Sequence, residues 1–302
     1  MDSLHIPPPS EQVYRSFVPQ KYDGLPIEKY FASRFNYWTE SEWILHICAG
    51  MITVNGNRVS PGVRILKQDH IITRMGARTE PPANRKLDVV YEDRNIRVFN
   101  KSAPIPVHPC GRYFRNSMTE LLKEEYADEV PRPVQRLDAT TTGLIVFARN
   151  RQTAAFLMEE FQQNRVYKEY FALVEGIPKQ NRFVIEAPIG KIKGSKRGIG
   201  KGILKPKAAE TDVEWLSTLG ELSLLKVVPR SGRTNQIRVH LASAGLPMFN
   251  DSVYGDGRNS FTEFGLHAGR LRFNCFDRSM DLRAGCPLHF KPFITAAKRN
   301  AL

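Results

Sequence analysis

The sequence predicts an α+β protein. Its larger domain is built on a mixed, largely antiparallel sheet flanked by helices and loops, and a small α/β module precedes it. Three observations predict this. After residue 87, strand-like apolar segments outnumber helical ones, and neighbouring strands read as hairpin-linked. Pro81-Pro82, set among polar residues, breaks the chain ahead of that region. The stretch before the break carries its own helices and hairpin.

The elements follow in order. Residues 1–22, with Pro7-Pro8-Pro9 near the start, read as a flexible tail. Residues 23–76 form the small module. Its first helix spans residues 27–36. Thr39 caps a second, with Glu42 three residues on at capping-box spacing. Trp43, Ile44, Ile47 and Cys48 share one face of that helix, and Gly50 follows as a C-cap. Residues 51–59 alternate about Asn55-Gly56, the strongest short hairpin signal, and 65–74 supply a closing strand. Residues 77–86 read as a linker.

The larger domain covers residues 87–302. Strands at 89–92 and 96–100 flank the turn Asp93-Arg94-Asn95. Ser117 and Glu120 have capping-box spacing at the start of a helix. Residues 144–148 are continuously apolar, hence a buried strand. A helix at 151–164, strands at 167–175 and 222–229, and a helix at 235–244 ending at Gly245 complete the pattern.

The charge is unbalanced. Forty-four Lys and Arg stand against 31 Asp and Glu, a net charge of +13 over 302 residues. That excess suits a polyanionic partner, nucleic acid or an anionic membrane surface. A membrane-surface protein would place the charge along an amphipathic helix, whereas here it lies in loops. No apolar run approaches the roughly 18 residues that span a bilayer. The start has no basic-then-apolar signal region. Cys48, Cys110, Cys275 and Cys286 are widely spaced, without a C-x-x-C pair, which argues against a zinc ribbon or a disulfide framework. A reducing cytoplasm is the expectation.

Several chemistries lack their motif. There is no H-E-x-x-H and no G-x-S-x-G elbow. The stretch 194–202, GSKRGIGKG, fails as a phosphate loop. Five residues separate Gly194 from Gly200-Lys201 instead of four, and Gly202 stands where Ser or Thr must meet Mg²⁺. No strand–G-x-G-x-x-G–helix unit marks a dinucleotide site.

The informative segment is Gln135-Arg136-Leu137-Asp138-Ala139-Thr140-Thr141-Thr142-Gly143, followed by LIVFA. An Asp beside Arg and a threonine tract, just before a buried strand, can be fixed at a sheet rim as a catalytic carboxylate. It can equally be a loop Asp bonded to its own backbone.

Arg136-Leu137-Asp138 with Thr142-Gly143-Leu144 resembles the R-L-D-x-x-T-[ST]-G-L motif of RluA-type pseudouridine synthases. Three more segments match that family in order. Tyr91-Glu92-Asp93, Lys101 and Pro106-Val107-His108-Pro109 resemble its opening. Residues 168–176, KEYFALVEG, resemble its K-x-Y-x-A-L-V-x-G strand. Residues 231–240, SGRTNQIRVH, with Gly245-Leu246-Pro247 and 251–255, DSVYG, resemble its G-R-T-H-Q-I-R-x-H…G-x-P…D-x-x-Y-G block. The match spans about residues 87–290. Gln135 stands for the family's usual His, Asn235 for the His of G-R-T-H-Q, and Ser102 for a Pro. The module at 23–76 resembles, in pattern, length and place, the small αL-type RNA-binding domain of many such enzymes.

The resemblance implies the pseudouridine synthase fold and isomerisation of specific uridines in structured RNA, ribosomal large-subunit RNA first and transfer RNA second. It implies no cofactor, no metal and a monomer. Asp138 is the implied nucleophile. A carboxylate buried without a partner takes up a proton, so a cation must face it. Arg233 is the candidate the resemblance implies, and a guanidinium can hold a carboxylate bidentately. Tyr170 either packs in the core or acts on the flipped base by stacking or proton transfer. Arg136 either fills the space the base vacates, grips a phosphate, or forms a structural ion pair. Arg238 and His240, two apart, could be helix surface and stay outside the catalytic set. Residues 191–207 carry seven basic residues and no acid on a glycine-rich stretch. Lys193, Lys196, Arg197 and Lys201 are its candidate phosphate contacts, the alternative being a solvated loop. A non-catalytic RNA-binding protein on the same fold is the competing function, and it has no need of Asp138, Tyr170 and Arg233 together.

Overall fold

The structure is a computed structural model that describes residues 4–35, 38–194, 196–255 and 263–300, without the side chains of Lys193 and Asn300. The chain divides into two compact units, residues 6–80 and residues 1–5 with 81–302.

In the unit 6–80 the elements are β1 (Ser10–Phe17), α1 (Ile27–Arg34), α2 (Glu40–Cys48), β2 (Ile52–Val54), β3 (Asn57–Arg58) and β4 (His70–Arg78). The strands form an antiparallel sheet in the order β1-β4-β2-β3. The Thr39–Glu42 capping box forms as expected, a device worth about 1 kcal/mol. It starts the helix that buries Trp43 and Ile47 against Ile27, Tyr30, Phe31, Ile52 and Ile71. Asn55 and Gly56 both adopt positive φ, as a two-residue hairpin turn requires.

Three boundaries differ from the sequence reading. Residues 10–17 of the expected tail are β1. Val13, Tyr14 and Phe17 among polar neighbours are strand formers, and the prolines ahead of them masked the signal. The closing strand runs His70–Arg78, not 65–74, because Ile65 instead bonds through its backbone to Gly24 and Leu25. The expected linker 77–86 is partly ordered. Arg78 ends β4, and Ala83 is fully buried while exchanging backbone hydrogen bonds with His5.

The larger unit contains β5 (Val89–Glu92), β6 (Ile96–Lys101), α3 (Met118–Glu125), β7 (Arg132–Pro133), β8 (Thr142–Ala148), α4 (Arg151–Gln162), β9 (Tyr167–Glu175), β10 (Arg182–Glu186), β11 (Ile189–Lys193), β12 (Lys196–Gly198), β13 (Leu204–Lys207), β14 (Glu210–Leu219), β15 (Leu222–Pro229), α5 (Gln236–Ser243), β16 (Leu266–Cys275), β17 (Arg278–Arg283) and α6 (Lys291–Asn300). Among the described residues, ten strands form one sheet. Its order is β10-β14-β15-β9-β16-β8-β6-β5, with β17 on β16 and β7 on β8. Among the described residues only β8 and β16 pair in parallel, so the mixed, largely antiparallel α+β reading holds. Gly143 explains that pairing. Its φ is +107°, and a Cβ there would lie 2.3–2.7 Å from the backbone of Ala268, so only glycine allows the two strands to approach.

Ser117 does precede α3, but its hydroxyl donates to Phe114 O, so no capping box forms. Among the described residues, most of 191–207 is strand rather than loop. β12 and β13 flank β11 in a small antiparallel sheet. Gly190 and Gly198 make it possible, since a Cβ on either would collide with Ile203 or Ile192. Those two glycines therefore serve packing, whereas Gly194, Gly200 and Gly202 take positive φ with open space around them. No helix among the described residues is long and apolar enough to cross a membrane.

Candidate active site

Asp138 stands on a turn that leads into β8 and closes when Thr141 N–H donates to Asp138 O at 3.1 Å. Leu137 anchors the turn from below in the core with Phe99, Ile105 and Ile145. Lys101, at the end of β6, holds it from within. The Lys101 side chain is fully buried, and its Nζ donates to Ile105 O at 2.7 Å, Ser102 O at 2.9 Å and Ala139 O at 3.0 Å. Burial pulls its pKa down to about 7, against the opposing field of Asp138. The ammonium is thus an internal fastener between β6 and the Asp138 turn. Lys101→Met removes the donor for one buried and two partly buried carbonyls, and each unsatisfied buried group costs about 1–3 kcal/mol. Denaturant melts should show a loss of about 2–4 kcal/mol. An unchanged midpoint would show that the three bonds hold nothing in place.

The cation facing Asp138 is Arg238, not Arg233. Arg238 Nη1 donates to Asp138 Oδ2 at 2.8 Å. Its Nε and Nη2 each donate at 2.7 Å to the two carboxylate oxygens of Asp251. Asp251 is buried and accepts further bonds from the N–H groups of Val253 and Tyr254. Burial alone would raise its pKa, but the hydrogen bonds and charge of Arg238, with those two N–H groups, hold the carboxyl below its usual range. Burial likewise opposes the charge on Arg238, and the two carboxylates outweigh it and raise its pKa. The rings of Tyr254 and Phe264 lie 5.1 and 5.4 Å from its guanidinium.

Arg233 sits elsewhere for a local reason. The side chain of Gln236 clamps the turn before α5, accepting from Ser231 Oγ and Arg233 N and donating to Glu210 O and Thr211 Oγ1. This clamp aims Arg233 along the turn, where its Nε donates to Ala208 O at 3.0 Å. Its side chain makes no ion pair with Asp138. Arg238, five residues on and inside α5, faces inward. Its neighbours Gln236, Ile237, Val239, His240 and Leu241 are all buried, so no solvated face exists there. His240 is structural. It bonds Thr211 Oγ1 at 2.8 Å and Ala187 O at 3.0 Å, and burial lowers its pKa.

Asp138, Tyr170, Arg136, Arg233 and Arg238 all line one cavity of about 420 Å³, with Met158 and Phe161 of α4 on its wall. Tyr170 projects from β9, paired on one side with Val227 of β15 and on the other with Ala268 of β16. Burial, then the field of Asp138, pushes its pKa up to about 12, so the phenol keeps its proton at neutral pH. Arg136 is exposed at the cavity. Lys196 is exposed and Arg197 partly so, and Lys201 is exposed, all on the small sheet or its turn. The Lys193 side chain lies outside the described residues.

Two of the unusual residues have local explanations. Gln135 fits β8 with its amide, donating to Leu144 O and accepting from Val146 N. Asn235 caps α5 in the left-handed region at φ +56°, a conformation asparagine tolerates better than most residues. Its Nδ2 donates to Tyr254 OH at 3.1 Å, the hydroxyl that also accepts from Arg197 N.

An aspartate held by a twice-bridged arginine, a protonated tyrosine and rim guanidiniums thus share one cavity. The family model described as RNA pseudouridylate synthase matches residues 95–243. The Uncharacterized RNA pseudouridine synthase YhcT of Bacillus subtilis is 30% identical over 242 residues, covering 76% of this chain and 78% of the relative. The Ribosomal large subunit pseudouridine synthase D of Borreliella burgdorferi is 28% identical over 281 residues, covering 87% of this chain and 86% of that one. The solved structure of Human RNA Pseudouridylate Synthase Domain Containing 1 superposes with a TM-score of 0.62 at 26% identity, covering 70% of this chain and 88% of that one. Against other curated relatives the chain spans only 44–62% of their length. Sequence motifs, the structural superposition and the relatives converge, and the chain belongs to the RNA pseudouridylate synthase family.

Proposed function

We propose that the protein isomerises specific uridines in structured RNA to pseudouridine, with Asp138 as the nucleophile. The observation that carries this is the Asp138–Arg238–Asp251 bridge at the cavity, which keeps an anion at a partly dry site. The reaction breaks the bond from ribose to uracil N1 and forms one to uracil C5. A proton leaves C5 and N1 gains one. Asp138 supplies the covalent partner during the exchange. Tyr170 offers a ring face on which the base can stack, and its phenol is a proton donor rather than a phenolate base at neutral pH. The target base must leave its stack to enter. Arg136, exposed beside Asp138, fills the vacated position or meets the flanking phosphate.

Arg233 takes a new role in this reading. At the cavity rim it is a phosphate contact, not the partner of Asp138. The sheet of β11, β12 and β13 adds Lys191, Lys196, Arg197, Lys205 and Lys207, with Lys201 on its turn, and its backbone reaches the cavity rim through Tyr254. The unit 6–80 holds none of the cavity-lining residues, so its part is recruiting and orienting RNA. Ribosomal large-subunit RNA is the first candidate substrate, since the relative of that name aligns along most of the chain. Transfer RNA is the second. Pseudouridine mapping in both RNAs, from cells with and without the gene, should show the loss of one or a few sites. An identical map in the two cell lines would overturn the proposal.

A further inference from the structure

The outer face of the small sheet in the unit 6–80 carries an aromatic pair among arginines. Alternation along the strands fixes which residues face outward. Ile52 and Val54 of β2 and Ile71 of β4 are buried in the core with α1 and α2, and Thr73 and Met75 of β4 are buried as well. The residues between them therefore point away. The register aligns Arg15, Ile72, Thr53 and Arg58 in one row across all four strands. The next row begins with Phe17 opposite His70, and the row on the other side pairs Val13 with Arg74.

Phe17 is 61% exposed, at the end of a strand whose neighbour Val18 is buried. Its ring lies against that of His70, with centroids 5.1 Å apart and a tilt of 37°. An exposed phenylalanine gains nothing for the core, yet here its ring packs against its cross-strand partner and leaves an aromatic face open to solvent. Arg15 and Arg58 are exposed, and Arg74 is half-exposed in an ion pair with Glu11. Three guanidiniums and one carboxylate leave the face positive.

We infer that this sheet face binds unpaired RNA, stacking a base on the Phe17–His70 pair while Arg15, in the next row, and Arg58, on the far edge strand beside Gly50, meet successive phosphates along the same RNA strand. The inference rests on the RNA-modifying reading above and adds to it the surface and the form of RNA. Stacking on sheet aromatics with a cationic surround is how unpaired strands are held without dependence on sequence. Bases inside a duplex are not available to such a surface, and A-form helices are gripped through the backbone instead. Charge complementarity thus selects RNA, and the aromatic pair selects its unpaired segments.

The test measures binding by the full chain to two labelled probes. One is an unpaired oligouridine of about twelve nucleotides, within the span of single-strand sites. The other is a duplex of equal length. Phe17→Ala should weaken the oligouridine at least about five-fold, the low end of one base–aromatic stack, and leave the duplex unchanged. Arg15→Gln with Arg58→Gln should lower the slope of log affinity against log salt on the oligouridine by about 1.4, at roughly 0.7 per phosphate. Because Phe17 is exposed, an unchanged melting temperature is the check that the sheet survives. Photocrosslinking with 4-thiouridine should mark the peptides around Phe17 or His70. Unchanged oligouridine affinity in Phe17→Ala overturns the inference, as does an equal loss on the duplex. A loss confined to binding of anionic vesicles also overturns it. The readout is binding, so its failure leaves the isomerase reading standing, while absence of turnover in the wild type would fail that reading and not this one.

Discussion

Asp138→Asn is expected to abolish isomerisation while leaving a folded, RNA-binding protein. The amide keeps the size of the carboxylate, and its oxygen can still accept from Arg238 Nη1, which lies 2.8 Å away. What disappears is the anion, and with it the covalent partner for the detached sugar or base. The stability effect is small, because Asp138 keeps about a third of its side chain exposed, at 30%. Losing one partly solvated charge pair of that kind costs on the order of 1 kcal/mol or less. Release of the uracil C5 proton from labelled RNA is the direct measurement, with RNA affinity and melting temperature alongside. Affinity should stay within a few fold. Turnover above about a thousandth of wild type would remove Asp138 from the nucleophile's role, since loss of a covalent nucleophile costs several powers of ten.

Much of this site was legible in the sequence, and the part that was not has a physical cause. Asp138 and Tyr170 stand in segments whose local pattern fixes their place, one before a buried strand and one within an alternating strand. The choice between Arg233 and Arg238 was different. It depends on which way a turn is clamped, and the clamp is Gln236, held by Glu210 and Thr211 of β14. That contact is more than twenty residues distant in sequence, and no local periodicity reports it. A signal was nevertheless present. Ile237, Val239 and Leu241 alternate with Arg238 and His240 in the helix of 235–244, so a solvated face was hard to draw there. Both polar residues are accordingly turned toward the protein, His240 onto Thr211 and Arg238 onto two aspartates. Asp251 belongs to a quoted motif without a role until the structure places it behind Arg238.

The glycine-rich basic stretch shows the opposite error. Glycine counts suggested a mobile loop, but two of the glycines are where strands must approach Ile192 and Ile203. Density of glycine reports permitted backbone geometry, not motion. The tail reading failed for a related reason, because three prolines at 7–9 say nothing of the strand that begins at Ser10.

Arg238→Met should be the most damaging single change at the site, lowering stability and activity together. The side chain is 12% exposed and makes three hydrogen bonds to two carboxylates, one of which, Asp251, has a fully buried side chain. Removing one partner from a buried ion pair costs about 3–5 kcal/mol, because the other charge is left uncompensated. The loss should depend on pH, and its sign is fixed. In the wild type Asp251 lies below the usual carboxylate range. It therefore adds stability that is complete above its unfolded pKa of about 3.9 and fades as pH falls through the lower folded value. In Arg238→Met, burial acts without the guanidinium and raises the folded value above the unfolded one. That variant loses stability as pH rises past about 4. The gap between the two proteins should be widest near pH 7 and should narrow toward pH 4.5. Urea unfolding at both pH values measures it. Arg233→Ala is the contrast, since its partly exposed side chain holds one carbonyl. It should keep the wild-type midpoint at either pH and weaken RNA binding instead. Equal stability loss in the two variants, or a gap that does not narrow in acid, would show that the Arg238–Asp251 pair does not hold the charge of this site.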